Sequence, residues 1–137
     1  MNARVFLDTN VLVYAALGIG TDERKRKRAL ELIEAEDFGT SAQVLQEFFV
    51  TVVKKASHPL SASQALEWIE QWAAFPCQPI DHNLVHIAIE RSERYRISYW
   101  DGAIVATAEA LGSAIVYSED LSDGQPYGKV RVINPFS

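Results

Sequence analysis

Apolar residues recur along this chain with two different periods, and the alternation between them sets out its elements. Residues 4–7 read as a short buried strand, 38–40 and 114–117 as two more, and 129–133 as another. A further short strand falls between the prolines of "PCQPID", residues 76–81. Between these runs the spacing becomes helical. Ala29, Leu30, Leu32 and Ile33 form the apolar patch of a helix over 22–36. Val44, Leu45, Phe48, Phe49, Val52 and Val53 keep the 3.6-residue period in a helix that Ser41 caps and that runs to residue 55. Ser61 and Gln64 make a capping box for a helix reaching residue 72, and 84–95 is amphipathic. The stretch 101–112 is apolar on nearly every side, which predicts a buried helix with Gly112 at its C-terminal cap. Residues 11–17 fit helix or strand by pattern alone, and the glycines of "GIGTDE" mark a loop.

Strands alternating with helices predict an α/β domain with a mainly parallel sheet flanked by helices. No repeat, low-complexity stretch or linker interrupts it, so residues 1–137 read as one domain. The formal net charge of −5 argues against a general nucleic-acid coat but leaves room for a local basic patch. Arg24, Lys25, Arg26, Lys27 and Arg28 are the densest such run. They fit a solvated helix face or a patch that tracks phosphates, which Arg91, Arg94 and Arg96 could extend. Cys77 is the lone cysteine, which excludes an intrachain disulfide and fits a reducing cytoplasm. No apolar run approaches the roughly 20 residues of a membrane span, and the first residues lack the pattern of an export signal. The expectation is a cytoplasmic protein without a membrane partner. Trp68, Trp72 and Trp100 are expected in the core or an interface, Cys77 as a packed residue, and His58, His82 and His86 without metal-ligand spacing.

Candidate chemistry enters with the polar residues that break apolar runs. "VFLDTNVLVY" stops a strand at Asp8, and "SED" at 118–120 follows another. Ligand sites in parallel sheets form beyond the carboxyl ends of the strands. Four acids fall where burial is expected: Asp8, Glu47, Asp101 and Asp120. Each has a plain explanation, as a helix cap, a solvated face, a charge at a helix N-terminus or a turn residue. Together they would repel. A pair at about 4 Å costs about 1 kcal/mol in water and about 4 at an effective dielectric of 20. Such a cluster calls for a cation, and all-oxygen donors select a hard one, Mg²⁺ or Mn²⁺. A carboxylate-held ion suits phosphodiester hydrolysis, with Thr9, Asn10 and Ser118 orienting carboxylates or water by hydrogen bonds.

"FLDTNVLVY", "VLQEFFVT", "SYWDGAIVATA" and "VYSEDLSDGQ" stand in the order and at the spacing found in PIN-domain proteins. The chain most resembles the VapC-type toxins of prokaryotic toxin–antitoxin pairs. The resemblance spans nearly the whole chain, including "VRVINPF". It implies a five-stranded parallel sheet, a Mg²⁺- or Mn²⁺-dependent endoribonuclease, a VapB-type antitoxin as partner, and a homodimer. It carries the catalytic and metal-binding roles onto Asp8, Glu47, Asp101 and Asp120, and lets Asp123 share or replace part of the role of Asp120. Two rivals remain. A haloacid-dehalogenase-type phosphatase also begins with a strand ending in Asp, but wants a second Asp where this chain has Asn10. A catalytically silent PIN-fold module would bind RNA or protein without turnover.

Overall fold

Strand β1 (Val5–Leu7) lies at the centre of the sheet and is buried throughout. The computed structural model describes residues 1–18, 21–35 and 37–137. Residues 19–20 of the expected glycine loop and residue 36 of the second helical pattern lie outside them. The other strands are β2 (Phe38–Ser41), β3 (Cys77–Gln78), β4 (Ile115–Tyr117), β5 (Pro126–Tyr127) and β6 (Val130–Ile133), in the order β3-β2-β1-β4-β6-β5. The first five in that order run parallel, as the alternating pattern predicts. The sixth, β5, is antiparallel to β6 and reaches it through a two-residue turn in which Gly128 has φ 65°. A two-residue strand beginning with proline gives no periodic signal, which is why sequence missed it. At the sheet's edge the missing N–H of Pro126 costs nothing.

The helices are α1 (Thr9–Ala16), α2 (Glu23–Ala35), α3 (Ala42–Val50), α4 (Ala62–Trp72), α5 (His82–Tyr95) and α6 (Tyr99–Ala110). The ambiguous 11–17 segment is therefore helix. Its N-cap is Asp8, whose carboxylate accepts the Thr9 N–H. Ser41 caps α3 through the Val44 N–H, and Ser61 with Gln64 closes both halves of a capping box on α4. Helix α5 starts two residues before the apolar pattern because Asp81 caps it. Helix α6 likewise starts at Tyr99 under Ser98, which places Asp101 within its first turn rather than at its opening. Leu111 ends α6, and Gly112 follows at φ 69°, the left-handed conformation expected of it.

Beyond Val50 the α3 chain does not stop. Residues Thr51–Lys55 form a π-helical turn, closed by the Ala56 N–H on the Thr51 carbonyl. Phe6, Leu7, Leu12, Phe38, Phe48 and Trp72 fill the core around the sheet. Full burial of side chains of this kind contributes about 1.5–3 kcal/mol each. Helices α5 and α6 pack without a gap at Gly102, where an added Cβ would stand 2.6 Å from the Ala88 carbonyl oxygen. Among the described residues no helix is long and apolar enough to cross a membrane.

Candidate active site

Strands β1 and β4 end side by side, with Leu7 opposite Tyr117, so the residues that follow each strand meet. The Ser118 hydroxyl donates to Asp8 Oδ2 at 2.8 Å, and the Thr9 N–H to Asp8 Oδ1 at 2.8 Å. Thr9 in turn donates its hydroxyl to Glu47 Oε2 at 2.9 Å, which ties α1 to α3. Gln43, one turn before Glu47 on α3, donates to Oε1 at 3.2 Å. Asn10 donates to Asp120 Oδ2 at 3.1 Å, and its own carbonyl accepts the Glu119 N–H at 3.3 Å. Ser118 accepts the Asp120 N–H as well, at 3.1 Å. Thr9, Asn10 and Ser118 thus each hydrogen-bond one of the acids.

Electrostatics link the set. Burial pushes the Asp8 carboxyl up to about 6, against the opposing hydrogen bonds from Ser118 and Thr9, and the nearby Asp120 and Glu47 charges push the same way. Asp101 is also raised, first by burial and further by Asp120 and Glu47, with Ser98 pulling it down. Among the described residues none of the four acids has an ion-pair partner. The structure thus sets Asp8 and Asp101 each within the fields of Glu47 and Asp120.

It does not draw them to a point. Among the described residues no three His, Cys, Asp or Glu side chains are gathered closely enough to hold a metal ion as they stand. Asp8, Glu47 and Asp120 each turn to their own hydroxyl, amide or backbone donors instead. Asp123 accepts the Asn134 N–H at 2.8 Å and so pins the segment after β6.

A cleft of about 600 Å³ opens at Glu47 and Asp120, lined also by Thr9, Asn10, Val50, Thr51 and Lys55; Asp8 and Asp101 are not among its described lining residues. Its acids are legible in sequence; Gln43 and Lys55 were not singled out. Gln43 carries a readable signal, a side-chain amide four residues before an acid on one helix.

The basic run on α2 is mostly engaged within the molecule. Arg24 donates to the Phe136 carbonyl and Arg28 to that of Pro135. Lys25 pairs with Glu119 at 2.8 Å and accompanies Tyr14, while Arg26 pairs with Glu23. Lys27 is exposed. Arg91 and Arg94 pair with Glu90, and Arg91 also with Glu109. Trp72 is buried with Trp68 tilted against it at 5.4 Å, whereas Trp100 stands 63% exposed at the start of α6. Cys77 is half-buried, and burial raises its thiol.

Comparison with known proteins gives the group a context. The PIN domain family profile matches residues 5–122. No curated protein sequence matches the chain. Among solved structures it is similar to Mycobacterium tuberculosis VapC20, described as a sarcin-ricin loop cleaving toxin, at 20% identity and TM-score 0.68, over 93% of this chain and 98% of that one. It is also similar to a chain of a toxin–antitoxin complex from Klebsiella pneumoniae, at 21% identity and TM-score 0.70, over 96% and 98% of the two chains. A third is a chain of FitAB bound to an IR36 DNA fragment, at 22% identity and TM-score 0.67, over 97% and 96%.

Proposed function

We propose, from the premise that this chain belongs to the PIN-domain family, that it is a Mg²⁺- or Mn²⁺-dependent endoribonuclease and the toxin of a type II toxin–antitoxin pair. The observation that carries the reading is the group of four acids at the carboxyl edge of a parallel sheet, electrostatically coupled and without an ion-pair partner among the described residues. Asp8, Glu47, Asp101 and Asp120 would hold the ion. Their donor set fits it: all are hard oxygens, and Mg²⁺ keeps several waters while taking one or two carboxylates, so a spread set suffices. When bound, the ion supplies an acidified water and neutralises charge on the phosphate.

The chain's own residues do the positioning. Thr9 and Gln43 fix both oxygens of Glu47. Ser118 holds Asp8, and Asn10 holds Asp120 against the first turn of α1. The partner is a VapB-type antitoxin presenting an Arg or Lys to the uncompensated carboxylates, and the toxin works as a homodimer. Support for such a partner comes from the similar fold in a toxin–antitoxin complex.

Cleavage mapping on total RNA tests the reading. Cutting should require Mg²⁺ or Mn²⁺, and Asp8→Asn and Asp101→Asn should each lose most of it while staying folded. Full cleavage in excess EDTA would sink the proposal. The separation of the carboxylates favours one alternative, a silent PIN-fold module; RNA binding with no cleavage under any metal would select it.

A further inference from the structure

One cation lies in the cleft, and the nuclease reading has not used it. Of the described residues lining the cleft, Lys55 alone carries positive charge. Among the described residues it makes no ion pair, although Glu47 and Asp120 line the same cleft. Lys25 of the basic run, which touches the cleft residue Tyr14, is already paired with Glu119.

Lys55 reaches the cleft because of the π-helical turn. In a regular α-helix each residue advances about 100° around the axis. Lys54, seven residues after Glu47, would then fall about 20° from it, and Lys55 about 80° away. An i→i+5 turn inserts one residue and shifts every later position by one. The turn at Thr51–Lys55 makes that shift, closed by the Ala56 N–H on the Thr51 carbonyl at 2.9 Å. The wall of the cleft accordingly reads Gln46, Glu47, Val50, Thr51, Lys55, with Lys54 left off it.

We infer that Lys55 is a positioning residue that grips a backbone phosphate of single-stranded RNA beside the acidic group. The inference rests on the nuclease reading. A strand entering an acidic cleft meets repulsion between its phosphates and the carboxylates. An ammonium in the same cleft, two turns along the helical wall from Glu47, holds one phosphate as a point charge and sets the register of the next. The lysine's flexible stem lets it follow the strand without demanding one base, so it contributes affinity and not sequence choice.

The test uses a labelled single-stranded RNA of mixed sequence and the full chain carrying Asp8→Asn, so that the RNA survives. Binding is measured by fluorescence anisotropy across a salt series. Adding Lys55→Gln should weaken binding several-fold and flatten the log–log salt dependence by about 0.7, the share of one phosphate on a single strand. Lys55→Arg should restore the slope, and Lys54→Gln should leave it unchanged. Lys55 is exposed, so melting curves of all variants should coincide. An unchanged slope with Lys55→Gln, or an equal effect of Lys54→Gln, overturns the role of Lys55 and leaves the nuclease reading standing. Absence of RNA binding by the Asp8→Asn reference at low salt overturns both.

Discussion

Asp8 answers two demands with one side chain. It caps α1, and it is the most buried acid of the candidate site. Burial holds its carboxyl at about 6, well above the 3.8 of an exposed aspartate. A folded state with the higher value binds its proton more tightly than the unfolded chain. Stability from this group is therefore greatest at low pH and declines as pH rises through the window from about 4 to about 6. At neutral pH the full cost is present, on the order of 3 kcal/mol at 1.36 kcal/mol per unit. Asp8→Asn should remove that cost along with the proposed metal-holding carboxylate. Its melting temperature should exceed the wild-type value by several degrees at pH 7.5 and converge with it near pH 4, as read by calorimetry across that range. A mutant that melts lower at pH 7.5 would mean that the cap and the Ser118 hydrogen bond outweigh the burial cost. The position of Asp8 was legible because a charged residue ending an apolar strand is rare without a reason. Lys55 was not legible, since "TVVKK" reads as ordinary helix and nothing in it announces an inserted residue.

Among the elements, α5 and α6 show how packing fixes chemistry. Gly102 follows Asp101 and lies against Ala88 and Ser92 of α5, with an added Cβ 2.9 Å from the Ser92 nitrogen. Backbone cannot yield there as a side chain would. Gly102→Ala should force the two helices apart at a cost of about 1–3 kcal/mol, the usual range for overpacking. Because Asp101 rides on the same turn, cleavage should fall further than the unfolded fraction explains. Activity measured well below the melting temperature separates the two losses. The helices were readable where caps and period agreed, as at Ser41 and Ser61. They began early where a polar cap preceded the apolar stripe, as Asp81 and Ser98 do. Hydrophobic period marks the face a helix buries, whereas its first turn is set by the hydrogen bonds of exposed N–H groups.

For the whole molecule, the alternating pattern revealed the parallel sheet, because buried strands between amphipathic helices have few other ways to pack. It did not reveal strand order, nor how far the carboxylates stand apart, since both depend on contacts between distant segments. Metal binding should act on that whole. An ion bound only by the folded chain adds about 2.7 kcal/mol at a hundredfold excess over its dissociation constant. Mn²⁺ should therefore raise the melting temperature, and Asp101→Asn should shrink the rise. In EDTA the mutant should melt no lower than wild type, because relief of burial and of repulsion from Glu47 and Asp120 offsets the about 0.3–1 kcal/mol of a helix-terminal charge. A mutant that melts well below wild type in EDTA and responds equally to Mn²⁺ would make Asp101 a structural charge alone. The bond from Ser118 to Asp8 also joins residues 110 apart in sequence. A ribosome adds about 5–20 residues each second, so the first acid waits on the order of 5–20 s for the hydroxyl that will hold it. During that interval β1 has no β4 to pair with, and any chain interrupted before residue 118 carries Asp8 and Glu47 without Asp120 opposite them. Biosynthesis thus leaves the candidate cutting edge incomplete until residues 118–120 have been made.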